Sequence, residues 1–131
     1  GWHNTLASDP SLLAISLRGT AGDPSMTDTE AARFVVISTA RFYSYEDQFY
    51  QHRDGLLSDA RYAGVLKAAK GSLRHPGSRA TWTLMRDTFD AGFRSFMDEA
   101  MRDTPAEPAA HFGRAFKSLT AAELSQANSG G

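Results

Sequence analysis

The sequence predicts an all-α fold: a compact bundle of about five or six helices around one long helix at about residues 27–54. Three observations predict it. The stretch TDTEAARFVVISTARFYSYEDQFYQHRDGLL, from Thr27 to Leu57, has a helix start signal, a stop signal and an aromatic middle. Apolar residues elsewhere recur at i, i+3 and i+4, the spacing that lines up one helix face. No segment alternates with the two-residue period of a strand.

Taken in order, Trp2 and Leu6 lie four apart and suggest the end of a helix within residues 1–8. Asp9-Pro10 is a start signal, because Asp9 can cap and Pro10 suits a first turn whose N–H would be orphaned anyway. Leu12, Leu13, Ile15 and Leu17 follow, and Gly19 is expected to end that short helix. Gly22, Asp23 and Pro24 mark a loop.

The long helix opens with Thr27-Asp28-Thr29-Glu30, a capping box in which Thr27 and Glu30 satisfy each other's backbone N–H. It stops at Gly55, the residue best suited to a left-handed cap. Ser58 or Asp59 starts the next helix, with Tyr62, Val65, Leu66, Ala69 and Leu73 on one face. Gly64 and Gly71 each weaken it by up to ~1 kcal/mol relative to alanine, and Gly64 is a candidate for close helix packing. His75-Pro76-Gly77 breaks the chain. A helix from Ser78 carries Trp82, Met85 and Phe89. Asp90 caps another, with Phe93, Phe96, Met97, Ala100 and Met101 inward. The helical domain is thus read as residues 1–103. Residues 104–131 are a weakly ordered C-terminal segment, in which Phe112, Ala115, Phe116 and Leu119 suit a docked turn or two before a disordered tail.

Composition bounds the function. The chain has 131 residues, 41% hydrophobic and 22% charged, with a formal net charge of -1, an ordinary globular balance that needs no staples. A near-neutral charge removes the basic stripe that nucleic-acid binding calls for. The absence of cysteine excludes disulfides, thiolate metal sites and cysteine nucleophiles. No stretch approaches the ~20 apolar residues of a membrane span, and none reads as a signal peptide.

The candidate polar cluster centres on Glu46. The stripe Val35, Thr39, Phe42, Glu46, Phe49 and Arg53 follows helical spacing, with Tyr43 and Tyr50 in reach of Glu46. A carboxylate among aromatics needs a hydrogen bond or a partner. The favoured role is an anchor bound to the Trp82 indole, a tyrosine hydroxyl or an arginine; the competing role is a general acid or base. No second catalytic group is placed by spacing. The candidate pocket or buried polar cluster is therefore Tyr43, Glu46, Tyr50, Arg53 and Trp82. His52 pairs with Gln48 across one turn, but His3, His75 and His111 have no ligand spacing, and the repeated Glu-x-x-His motifs of a metal bundle do not occur. No metal or other cofactor is expected. Ser78 and Thr81, near Arg74 and Arg79, suit either an anion site or a plain helix start; the helix start is favoured.

The stretch from Tyr43 to Met101 also resembles a broad group of uncharacterised bacterial proteins, in which a short N-terminal membrane helix precedes a soluble helical domain. The matching positions are Asp9-Pro10, Arg33-Phe34, Glu46, Phe49-Tyr50-Gln51, Arg53, Gly55-Leu56-Leu57, Pro76-Gly77, Trp82 and the run Phe93-Arg94-Ser95-Phe96-Met97-Asp98-Glu99. Thr81-Trp82 stands where the group carries a Trp pair, and Asp47 where asparagine is commoner. The resemblance covers roughly residues 9 to 101. It implies that any membrane helix lies upstream of Gly1 and that the domain faces the cytoplasm. It supplies no catalytic residue.

These readings converge on a non-enzymatic helical interaction or regulatory domain of a bacterial, membrane-associated protein. The alternatives are a small-ligand sensor with a pocket of Tyr43, Glu46, Tyr50 and Trp82, and an enzyme using Glu46. The expected partners are another protein or a second copy, with no nucleic acid and with membrane contact only through upstream sequence.

Overall fold

The computed structural model describes residues 9–107 and 112–129. Among them are six α-helices, one 3-10 turn and no strand, as the periodicity predicts. In chain order the helices are α1 (Pro10–Ala21), α2 (Asp28–Arg53), α3 (Asp59–Ser72), α4 (Pro76–Met85), α5 (Ala91–Asp103) and α6 (Phe112–Ser129), with the 3-10 turn Arg86–Thr88 between α4 and α5. The helix expected at Trp2 and Leu6 lies outside the described residues.

Local chemistry sets most of the helix ends. Asp9 caps α1, its Oδ1 accepting from the Ser11 N–H at 3.0 Å. The capping box of α2 is complete: Thr27 Oγ1 accepts from Glu30 N at 3.1 Å, and Glu30 Oε1 accepts from Thr27 N at 3.0 Å. Gly55, just beyond α2, takes a positive φ of 79°. Ser58 caps α3 and Asp90 caps α5.

Some boundaries differ from expectation, among them the start of α4, which lies at Pro76 and not at Ser78. Gly19 does not end α1; the helix continues to Ala21, and Gly22 takes the left-handed cap at φ 70°. Gly19 is buried instead, and its lack of a side chain is used for packing. A Cβ there would lie 2.8 Å from Phe34 Cε2, with two other ring atoms closer still. A Cβ on Gly77 would lie 2.7 Å from the Gly19 carbonyl carbon, with the oxygen closer. So α1 and α4 cross with backbone against backbone, and the Phe34 ring of α2 fills the corner.

α2, about 39 Å long at ~1.5 Å per residue, is the spine of the bundle. Its N-terminal half buries Phe34, Ser38 and Thr39, and Phe42 joins the main core. That core is Phe42, Ala69, Leu73, Trp82, Phe89, Phe93, Met97 and Ala100. Its aromatic rings meet mostly edge to face: Phe42–Trp82 at 5.4 Å and 64°, and Trp82–Phe93 at 5.9 Å and 86°. Such geometry adds roughly 0.5–1.5 kcal/mol per pair beyond area burial. The chain after α4 does not continue as helix to Phe89, which is extended, yet Phe89 still packs in the core.

Arg79 ties two helix ends together. Its Nη1 donates to the carbonyls of Leu73 (3.0 Å), Met101 (3.3 Å) and Thr104 (2.6 Å), at the ends of α3 and α5. Gly64 does not mediate close packing within the chain, since a Cβ there meets nothing within 4 Å. The C-terminal segment is more regular than the expected turn or two. α6 runs for 18 residues, and the side chains of residues 114–129 are exposed.

Candidate functional site

Three of the five candidate residues converge on one place, the N-terminus of α5. Glu46 and Tyr50 project from successive turns of α2. Glu46 Oε2 accepts from the Asp90 backbone N–H at 2.8 Å. The Tyr50 hydroxyl donates to Asp90 Oδ2 in a short hydrogen bond and accepts from the Phe93 N–H at 3.2 Å. Asp90 Oδ2 also accepts from the Gly92 N–H at 3.4 Å. The first N–H groups of a helix lack intrahelical partners. Here α2 supplies acceptors for them from outside, and the carboxylates also suit the positive end of the α5 dipole. Arg53 completes the group, its guanidinium 4.4 Å from the Tyr50 ring centroid, but the cluster is not buried as expected: Glu46 and Tyr50 are half-buried and Arg53 is exposed.

The electrostatics follow the same bonds. The Tyr50 hydroxyl is pushed up, first by desolvation and then by its hydrogen bond to Asp90. The Asp90 carboxyl is lowered, first by that same bond and then by the Gly92 N–H. Both are the signs of a settled donor–acceptor pair. The tyrosine proton and one of its lone pairs are committed to holding the start of α5.

Tyr43 and Trp82 go elsewhere. Tyr43 lies half-exposed against Phe89, with ring centroids 4.5 Å apart, and its hydroxyl donates to Thr88 Oγ1 at 2.9 Å. Trp82 is 1% exposed in the core, and its indole N–H donates to Asp98 Oδ1 at 2.9 Å, not to Glu46. A pocket of Tyr43, Glu46, Tyr50 and Trp82 is therefore not formed: Trp82 is packed against Phe42, Phe89 and Phe93, and its one polar atom is engaged.

The indole partner was not foreseen. Asp98 receives the Trp82 N–H and the Arg86 guanidinium, whose Nε donates at 3.1 Å and whose Nη2 makes a short ion pair. Arg86 holds the Asp98 carboxyl below its ordinary range, against the pull of desolvation. The signal in the sequence was an acid next to the inward-facing Met97, within Phe93-Arg94-Ser95-Phe96-Met97-Asp98-Glu99.

Of the remaining polar candidates, His52 and Thr81 have partners within the fold. His52 stacks on Tyr62 at 3.8 Å and 7°, with Nε2 2.7 Å from Asp59 Oδ1, so it links α2 to α3. Ser78 and Thr81 are 1% exposed and turned inward, Thr81 Oγ1 donating to the Gly77 carbonyl at 3.0 Å. The helix itself begins at Pro76 after the N-cap His75, so Ser78 lies within its first turn and does not start it. His75 titrates below its ordinary value because of burial and the nearby Arg41 and Arg74. His3 and His111 lie outside the described residues. Among the described residues no three His, Asp or Glu side chains converge to hold a metal, and no helix is long and apolar enough to cross a membrane.

Two surface hollows lie away from these clusters. One, of about 280 Å³, sits over the Gly19–Gly77 crossing, with Met26, Phe34, Val35 and Leu84 in its wall. The other, of about 450 Å³, is bordered by Leu12, Arg33, Val36 and Ile37 between α1 and α2. Both walls are mainly apolar. Comparison with known proteins finds no matching family model, curated protein or solved structure.

Proposed function

We propose that this chain is a non-enzymatic helical interaction domain, belonging to a bacterial protein that is membrane-associated in its full form. The observation that carries the reading is the contrast between polar and apolar groups. The polar groups of Tyr43, Glu46, Tyr50, His52 and Trp82 are engaged at helix ends and between helices. Exposed apolar side chains remain beside them: Leu13 and Leu17 on α1, Val36 on α2 and Leu84 on α4, from 44% to 70% exposed. Scattered exposed apolar residues need no explanation, but Val36 and Leu84 each border an apolar hollow, and this supports a contact surface. Bacterial origin and membrane attachment rest on the resemblance alone.

A self-association equilibrium is the simplest form of that activity, commonly with two-fold symmetry. Sedimentation equilibrium is expected to show a dimer at high concentration. Val36→Glu combined with Leu17→Glu is expected to return the chain to monomer with its melting temperature unchanged. A parent chain that is monomeric throughout, or a dimer indifferent to both substitutions, overturns the reading for this surface.

A further inference from the structure

Among the described residues, α6 is an amphipathic helix whose side chains are exposed over residues 114–129, and the hollow over the Gly19–Gly77 crossing has a mainly apolar wall. We propose that α6 is a tethered plug: its Ala115–Phe116–Leu119–Ala122 face seats in the hollow over the Gly19–Gly77 crossing of its own chain.

The spacing of these four residues places them on one side of α6. Phe116 and Leu119 are 67% and 68% exposed. Helices of this length draw most of their stability from packing an apolar face, not from intrinsic propensity. This one has Gly113 and a run of serine, threonine and asparagine against it, and needs a surface to pack on.

The tether points to the surface. The Glu107 N–H donates to the Arg74 carbonyl at 2.9 Å, which pins the chain just before its final helix. Arg74 is three residues from Gly77, so the pin lies within ~11 Å of the hollow's wall by chain length. The steps from Glu107 to Phe112 span at most ~18 Å. A short tether of this kind gives an effective concentration in the millimolar range, far above that of a second copy in dilute solution. That is the reason to assign the plug to the same chain.

Size and charge agree. At about 280 Å³ the hollow sits just below the usual range for a small-molecule site, ~300–1,000 Å³. It suits one or two apolar side chains better than a ligand. Residues 23–30, which border it through Asp23 and Met26, carry Asp23, Asp28 and Glu30, with Arg18 answering Asp23 and Glu30. The first turns of α6 carry Arg114 and Lys117 and no carboxylate. Arg18 already pairs with Asp23 and Glu30, so of these three acids Asp28 is the one left to meet that basic start.

The chain has no cysteine, which makes the test direct. Spin labels at Thr83→Cys on α4 and Ser118→Cys on α6 leave the proposed contact free. Dipolar spectroscopy on dilute protein, mixed with excess unlabelled chain, is expected to show one short, narrow distance population. Phe116→Asp, and separately Leu84→Glu, are expected to abolish it while the bundle's melting temperature stays at the parent value. A broad distribution that neither substitution changes overturns the proposal. So does a short distance lost on dilution with unlabelled chain, which assigns the helix to a second copy. A short, narrow population that Phe116→Asp leaves intact also overturns it, as does one that forms only when anionic vesicles are added. Failure of the self-association test above would leave this result standing, since the labels report a single chain.

Discussion

Replacing Gly77 by alanine adds one methyl group to α4, and the structure says where it goes. The new carbon would sit 2.7 Å from the Gly19 carbonyl carbon, closer to its oxygen, and 3.1 Å from Phe34 Cε1. The obstacle is mainly backbone, which cannot turn away as a side-chain tip can. α1 must move off α4, and the contacts of Ile15 and Phe34 loosen with it. Overpacking costs typically about 1–3 kcal/mol and occasionally more; a backbone obstacle puts this substitution at or above the top of that range, about 3 kcal/mol. For a domain of this size, with a shift of roughly 4 °C per kcal/mol, the melting temperature should fall by about 12 °C. The same change at Gly64 is the control. A Cβ there meets nothing within 4 Å, so Gly64→Ala should gain up to about 1 kcal/mol of helix propensity. Gly19→Ala gives a third reading: its obstacle is the Phe34 ring, so Phe34→Leu should recover part of its loss and none of the Gly77→Ala loss. Thermal and urea melts followed by far-UV circular dichroism measure all of these. A Gly77→Ala chain as stable as the parent would refute the backbone crossing.

Glu46→Gln should cost only about 1 kcal/mol or less, because its donor is the neutral Asp90 N–H and glutamine can still accept from it; a loss of several kcal/mol in a urea melt would mean that a charged partner is left stranded. Trp82→Ala should cost about 3–5 kcal/mol as a buried aromatic, and a melting temperature within a degree or two of the parent would place Trp82 outside the core. Acid should destabilise in two stages. His75 has a folded pKa below its ordinary 6.5, so the unfolded chain binds the proton first. Its contribution is intact above pH 6.5 and is lost as pH falls toward the folded value. His75→Gln should flatten that limb of a stability–pH profile, and an unchanged limb would assign it to another group. Asp23, Asp90 and Asp98 are lowered from 3.8, Asp23 to about 2, so their contribution is full above 3.8 and is lost as pH falls through the folded values. Asp98→Asn should weaken the lower stage; a profile identical to the parent's there would deny the Arg86–Asp98 pair any part in it.

What sequence made legible was what neighbours along the chain decide. The capping box at Thr27 and Glu30, the caps at Asp9, Ser58 and Asp90, and the faces of α3 and α5 are contacts within a few residues or one helical period. Their physics is in the local string. Glu46 was legible as an anchor, because an acid in an aromatic stripe must find a donor. Which donor was not legible: Asp90 lies 44 residues away, and only the packing of α2 against α5 selects its N–H over the Trp82 indole. Gly19 shows the same limit from the other side. A glycine near the end of an apolar run reads as a stop signal, and the reason it is not one lies in Phe34 and Gly77, both distant in sequence. The length of α6 was missed for a different reason: its segment follows two prolines and is rich in small polar residues, so composition outweighed its periodic apolar positions.

Arg79 gives the ends of α3 and α5 a common fate. One nitrogen serves carbonyls from Leu73, Met101 and Thr104, so neither terminus can fray without loosening the other's acceptor. In amide hydrogen exchange the last turns of the two helices should open as a single unit, although about thirty residues of chain separate them. The route out to α6 starts from that joint, at Thr104. A pull on the C-terminal helix is felt first at the Glu107–Arg74 hydrogen bond and next at this junction shared by two helices, so the bundle meets mechanical load there as a hinge does.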